Sequence, residues 1–309
     1  MKISSYFKLI RWKNLVILAS TLLIIKFGFI DIFTTSSALN TFNFSIFLVS
    51  NVLIAAAGYV INDLLDIEID LINKPTKVYI NSQISVKSAY NLYFLLNVTG
   101  VLAGFYIANL LGFPVLALIP IVVSYLLYLY STTLKRIAFL GNMVIAFLIS
   151  LSIISLAFFD LILINSSDVV GYNYTLFLLL LDFAIFAFFI NLVRELIKDI
   201  EDIDGDKSMR LKTLPIAAGI KFSKYVAVLL ILILLVGILY FVFSLLPIYS
   251  FIFYYFIVTI ILPLLYLAIK ISVSNLKSDF NFISLLLKII MIFGTLSIIF
   301  ISISVKNAL

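Results

Sequence analysis

Nine of the fifteen acidic residues in this 309-residue chain stand in two short runs. The first reads Asn62-Asp63-Leu64-Leu65-Asp66-Ile67-Glu68-Ile69-Asp70, and the second reads Asp199-Ile200-Glu201-Asp202-Ile203-Asp204-Gly205-Asp206. In the first, Asn62, Asp66 and Asp70 are four apart, so a helix puts them on one face. In the second, Asn191, Glu195, Asp199, Asp202 and Asp206 follow at steps of 4, 4, 3 and 4 and form one polar stripe if the helix runs on. Gly205 can end that helix early, which would leave Asp206 on a loop. Aligned like charges destabilise a helix until a cation bridges them. Mg2+ prefers octahedral oxygen ligands, usually one or two carboxylates completed by water and substrate phosphate. Two carboxylate rows therefore suit a diphosphate held through Mg2+. Two solvated acidic loops would be the bland alternative, but the repeated spacing and placement argue against it.

Cations accompany the acids. Lys135-Arg136 follows Tyr125, Tyr128, Tyr130 and Ser131, while Arg194, Lys198, Lys207, Arg210 and Lys212 surround the second run. A departing diphosphate calls for cationic donors as well as metal. The chain has no histidine and no cysteine. That removes thiolate chemistry, disulfides, Cys/His zinc sites, histidine-ligated haem and the commonest general base. Acid–base work falls to Asp, Glu, Lys, Tyr and Asn. Some of the 17 Tyr and 29 Phe can offer ring faces to a developing carbocation.

The elements that must position these groups are membrane spans. The chain is 64% hydrophobic and 12% charged, a membrane composition. Segments long enough to cross a bilayer run at 14–34, 42–61, 88–109, 113–131, 137–159, 174–197, 223–246, 249–269 and 282–304. Only Leu110 to Gly112 separates the third from the fourth, which predicts a tight hairpin. The first is too long for a signal-peptide core and reads as a retained span. We expect one membrane domain over 1–309, with motif loops at about 62–87 and 198–222.

With nine spans, 18 of the 21 Lys and Arg fall on one side, including Lys74, Lys135, Arg194 and Lys277. This asymmetry makes that side cytoplasmic and accounts for the net charge of +6 without nucleic acid. Both acidic runs face it, because four spans separate them. Lys26 and Lys288 lie within spans and are expected to snorkel to an interface. Asp182 lies well inside the sixth span and receives no catalytic role.

The stretch Ala55-Ala56-Ala57-Gly58-Tyr59-Val60-Ile61-Asn62-Asp63, continuing through Asp66 and Asp70 to Asn73-Lys74-Pro75, resembles the first signature of the UbiA superfamily of intramembrane prenyltransferases. Arg194-Glu195-Leu196-Ile197-Lys198-Asp199 through Gly205-Asp206, then Lys212-Thr213-Leu214-Pro215, resembles the second. Tyr130-Ser131, Leu134-Lys135 and Gly141-Asn142 resemble the segment between them. The resemblance implies an all-α fold of nine transmembrane helices around a central cavity, with a Mg2+-diphosphate site between the motifs. It implies metal-binding and catalytic roles for Asp66, Asp70, Asp202 and Asp206, and a further acidic position at Asp199. It places Asn62 at the family's asparagine, and Lys135 and Tyr130 where the family contacts diphosphate.

Within the superfamily, the run from Arg194 to Asp206 is similar to that of digeranylgeranylglyceryl phosphate synthase-like members. Those transfer a geranylgeranyl group to the hydroxyl of a prenylated glycerol phosphate. Lys74-Pro75-Thr76-Lys77 departs from the commoner continuation of the first signature. The implied reactants are an allylic polyprenyl diphosphate and a lipid-soluble acceptor, with Arg194 and Lys198 among the groups that bind substrate. An aromatic quinone precursor is the alternative acceptor. A secondary transporter using the acids as a cation site is the alternative of another class, although such sites usually lie near the midplane. A CDP-alcohol phosphotransferase would need Asp-Gly followed by Ala-Arg, which is missing from this sequence.

Overall fold

The computed structural model describes residues 3–34, 37–163, 170–245 and 250–306. The expected span limits at 246 and 249 lie outside these. Among the described residues nine helices are long and apolar enough to cross a membrane. They are α1 (Trp12–Phe33), α2 (Thr41–Leu65), α3 (Val86–Leu110), α4 (Pro114–Thr132), α5 (Leu140–Ile162), α6 (Gly171–Glu201), α7 (Ile220–Ser244), α8 (Phe251–Val273) and α9 (Lys277–Lys306). In hydrocarbon each backbone polar group must be satisfied within the chain, which uninterrupted apolar helices achieve. Local chemistry sets the ends. The Asn40 side chain accepts from the Asn43 N–H at 2.9 Å to start α2, and Ser85 accepts from the Ser88 N–H at 3.1 Å to start α3. The expected hairpin between α3 and α4 is present, with Gly112 at φ +78°. There the Gly112 and Phe113 N–H groups cap the carbonyls of Asn109 and Ala108, each at 3.0 Å.

The chain divides into two compact units. The first holds the described residues of 1–22, 38–144 and 204–211. In it α2 packs along α3 and α4, and small residues set the spacing. A Cβ at Gly100 would fall 2.8 Å from Ile54, and one at Gly104 would fall 2.6 Å from Pro120. Ser50 crosses the same seam, its hydroxyl donating to the Gly100 carbonyl at 2.7 Å. One end carries a plug of Leu9, Ala57, Val60, Ile61, Leu64, Ile80, Ile84, Ala89 and Tyr93. The loop after Pro75 folds back into that plug, with Ile80 and Ile84 both 2% exposed. The first acidic run thus rests on a hydrophobic anchor.

The second unit holds the described residues of 23–37, 145–203 and 212–309. Here α6 packs on α7 and α9, and α8 packs on both α7 and α9. A Cβ at Gly294 of α9 would lie 2.6 Å from the Phe186 ring of α6. Lys26 does not snorkel. It is 1% exposed and its ammonium donates to Asp160 at 2.7 Å and pairs with Asp31 at 2.8 Å. Ser37 joins the cluster, donating to the other Asp160 oxygen at 2.6 Å. Lys26 and Asp160 each lie in a π-helical turn, Lys26–Ile30 and Phe158–Ile162. The lysine is held by carboxylates rather than drawn to an interface because each partner satisfies the other's charge.

Candidate active site

The first acidic run keeps its register across a break in the helix. Asp66 ends α2 with φ −103° and ψ 10°, and a second helix, Ile67–Asn73, follows at once. Hydrogen bonds still run from the Asp66 N–H to the Asn62 carbonyl at 3.0 Å and from the Asp70 N–H to the Asp66 carbonyl at 2.8 Å. Asn62, Asp66 and Asp70 therefore stay on one row.

Lys135 reaches this row directly, its ammonium bonding Asp66 with both side chains largely buried. Lys135 sits in a short 3-10 turn, Leu134–Arg136, that closes against the start of α5. Gly141 permits that closure, because a Cβ there would lie 2.9 Å from Lys135 Cα. Tyr130, half-buried, lies in the last turns of α4, immediately before this segment. A second cation reaches the run from the N-terminal segment. Arg11 donates to Asp63 at 2.7 Å and stacks over the Tyr59 ring at 5.0 Å.

The electrostatics of the run are those of crowded carboxylates. Burial, then the charges of Asp63 and Asp66, push Asp70 up to about 6. Burial also raises Asp66, against the lowering influence of Lys135. For Arg11, burial opposes the charge, but Asp63 and its neighbours outweigh it and the net shift is upward. Lys74 and Arg11 lower the Asp70 value but do not offset its rise.

The second run also differs from a simple loop. Asp202 is a turn residue whose N–H bonds the Lys198 carbonyl at 2.8 Å. A new helix, Ile203–Ser208, then carries Gly205 and Asp206. Gly205 does not end the helix, and Asp206 is buried at 8% exposure within it. The glycine serves a close approach instead: its N–H donates to Asn73 Oδ1 at 2.9 Å, and a Cβ would fall 2.4 Å from Asn73 Nδ2. Asn73 ends the helix that carries Asp70, so within the first unit one contact ties Asp206 to the first motif's helix.

In the second unit Glu195 accepts from Arg194 at 3.0 Å and from Lys198 at 2.6 Å. Asn191 is turned to its own helix, donating to the Ala187 carbonyl at 2.8 Å. Asp199 and Asp202 are half-buried and Asp182 stands exposed on α6. Lys288 is half-buried on α9. It lines a recess of about 170 Å³ with Arg194, Glu201, Asn281, Ser284 and Leu285. The signal was legible, since Asn281, Ser284 and Lys288 follow at steps of three and four.

Among the described residues no three Asp, Glu, His or Cys side chains form a metal-holding group. The donors present are hard oxygens, among them the Asp66 and Asp70 carboxylates. A small dication completed by phosphate and water needs only one or two such carboxylates, so the donor set fits one.

Comparison with known proteins follows this geometry. The chain is 35% identical over 178 residues to the digeranylgeranylglyceryl phosphate synthase of Methanobrevibacter smithii, covering 58% of this chain and 59% of that protein. It is 34% identical over 236 residues to the synthase of the same name from Methanococcus aeolicus, covering 74% and 73% respectively. The chain thus spans under two thirds of the first relative's length. In fold it is similar to a solved structure described as that of digeranylgeranylglyceryl phosphate synthase in membranes, with TM-score 0.61 and 24% identity over 97% of this chain and 98% of that one. It is also similar to a UbiA homologue from Archaeoglobus fulgidus bound to GPP and Mg2+, with TM-score 0.59 and 16% identity over 95% and 99%. The UbiA prenyltransferase family matches residues 21–292. This all-α integral membrane chain belongs to the UbiA prenyltransferase family.

Proposed function

We propose that the protein transfers a polyprenyl group, geranylgeranyl by preference, from an allylic diphosphate to the hydroxyl of a prenylated glycerol phosphate, releasing diphosphate. The observation that carries the reading is the Asn62–Asp66–Asp70 row, with Lys135 bonded to Asp66 and Asp70 raised by burial and by its neighbouring carboxylates. The names of the relatives support the acceptor, and the GPP and Mg2+ of the Archaeoglobus homologue support the donor and the cofactor. The chain acts as one membrane domain in this reading.

Asp66, Asp70, Asp202 and Asp206 are the residues that would hold Mg2+, with Asn62 beside them. When bound, the metal supplies charge that neutralises the departing diphosphate. Lys135 and Tyr130 donate to the diphosphate, while Arg194, Lys198 and Asp199 belong to the substrate-binding groups. The allylic C–O bond to diphosphate breaks and a new ether C–O bond forms. The acceptor hydroxyl's proton passes to a carboxylate, because the chain has no histidine. The apolar spans exclude water, which protects the allylic cation from hydrolysis. The test is release of diphosphate from labelled geranylgeranyl diphosphate that depends on both Mg2+ and acceptor. EDTA silences it and added Mg2+ restores it; release that ignores EDTA contradicts the reading.

Asp70 gives this dependence a pH signature. Its folded-state value stands near 6, so it is ionised above that pH and takes a proton as pH falls through it. Proton and metal compete for the same oxygens. At low Mg2+, turnover is therefore expected to fall as pH drops through about 6, and saturating Mg2+ should move that midpoint to lower pH. A midpoint that stays fixed across Mg2+ concentrations contradicts the assignment.

The motif loops face the cytoplasm in this account, on the ground of the basic-residue asymmetry. Ser208 is exposed beside the second motif. In this cysteine-free chain, Ser208→Cys is expected to resist an impermeant thiol reagent applied to intact cells and to react after permeabilisation. Ready labelling from outside would reverse the topology.

A further inference from the structure

We propose that the recess between α6 and α9 is the subsite for the acceptor's phosphate monoester, with Arg194 and Lys288 as its cations and Asn281 and Ser284 as its polar wall. This rests on the functional reading above and adds a location for the acceptor's headgroup.

The recess carries two cations and one carboxylate, Glu201. That carboxylate is engaged by Asn281, whose amide donates to Glu201 Oε1 at 3.1 Å. A phosphate monoester, with its charge between one and two at neutral pH, complements such a lining. Arg194 lines the recess. One terminal nitrogen is committed to Glu195 at 3.0 Å, and its Nε is buried with no acceptor among the described residues. A planar guanidinium held at one edge keeps another for a phosphoryl oxygen. Lys288 is twelfth in a 30-residue apolar helix, a depth at which a charged side chain is costly.

The register separates this pocket from the metal-binding row. Glu195 and Asp199 share one face of α6, whereas Arg194 and Glu201, seven apart, share a face roughly 130° round the helix. A ligand in the recess therefore does not compete with the carboxylate row for the same face. Asn281 and Lys288 are also seven apart, so the polar wall runs roughly 10 Å along α9. Leu285, 54% exposed, forms an apolar lip against which a prenyl chain can lie.

The experiment compares wild type with Lys288→Gln, Lys288→Arg and Ser284→Ala in nanodiscs. The expected result for Lys288→Gln is a rise in KM for geranylgeranylglyceryl phosphate of about tenfold or more, from loss of a charge-assisted bond. KM for geranylgeranyl diphosphate should stay unmoved, which also shows that the variant is folded, and Lys288→Arg should restore most of the acceptor affinity. A second readout needs no turnover. Radiolabelled geranylgeranylglyceryl phosphate should bind wild type more tightly than its dephosphorylated alcohol, and Lys288→Gln should erase that preference.

If wild type makes no ether yet shows the Lys288-dependent preference, the subsite stands and the functional reading falls. If ether forms while Lys288→Gln leaves acceptor KM and the preference unchanged, the subsite falls and the functional reading stands. Equal displacement by phosphatidic acid would mean that the recess takes any lipid headgroup phosphate and would overturn the acceptor assignment.

Discussion

Asp66→Ala and Asp202→Ala should each leave a folded, inserted protein that no longer transfers a prenyl group. Asp66 stands at the break between α2 and the following helix, so its side chain is released from a continuous helical wall. Its carboxylate already bonds the Lys135 ammonium. Asp202 occupies the equivalent kind of position, the turn between α6 and the helix Ile203–Ser208. Both backbone turns keep their own hydrogen bonds, the Asp66 N–H to Asn62 at 3.0 Å and the Asp202 N–H to Lys198 at 2.8 Å. Alanine therefore removes the carboxylate without removing the turn. Losing one preorganised group that acts on a developing charge lowers kcat by about 10²–10³-fold, and losing a metal ligand adds to that. The check is single-turnover transfer at saturating Mg2+ and donor, with detergent-solubilised protein eluting as wild type does. Turnover near the wild-type rate in either variant would remove that residue from the metal-binding set.

Lys135→Met carries the second large effect, and its direction separates two roles. As a diphosphate donor alone, Lys135 would give up a charge-assisted bond and donor affinity on its removal. The contact with Asp66 adds a further consequence. Burial raises Asp66 and Lys135 holds that rise in check. Without the ammonium, Asp66 takes its proton at higher pH, so the acid limb of the pH–rate profile should move upward. The expected outcome is a fall in kcat/KM for the donor of about 10²-fold or more, with the acid limb displaced to higher pH. A loss of donor affinity on an unmoved pH profile would leave Lys135 as a donor that does not tune the row.

Much of this is legible in the sequence. Apolar length gave nine spans, and the step of four placed Asn62, Asp66 and Asp70 together, because both are consequences of helical geometry alone. The transporter alternative gives way to membership of a prenyltransferase family. What stayed hidden depends on tertiary contact. Gly205 reads as a helix stop by propensity, but its missing Cβ admits Asn73, a partner 132 positions away. Lys26 reads as a snorkelling residue because nothing nearby in sequence predicts Asp160, which meets it from α5. Arg11 reads only as one of the basic residues on the cytoplasmic side, yet a contact across 52 positions brings it onto Asp63. The polar steps at Asn281, Ser284 and Lys288 were present in the sequence, but without Arg194 opposite them they carried no chemistry.

The most direct measurement is product analysis by mass spectrometry. Membranes bearing the protein receive labelled geranylgeranyl diphosphate, Mg2+ and a panel of acceptors that includes geranylgeranylglyceryl phosphate, a hydroxybenzoate and a naphthoate. The account predicts a doubly prenylated glycerol phosphate carrying a new ether bond, absent with EDTA and absent in Asp66→Ala membranes. Prenylated hydroxybenzoate or naphthoate, with no ether product from the glycerol phosphate, would contradict it.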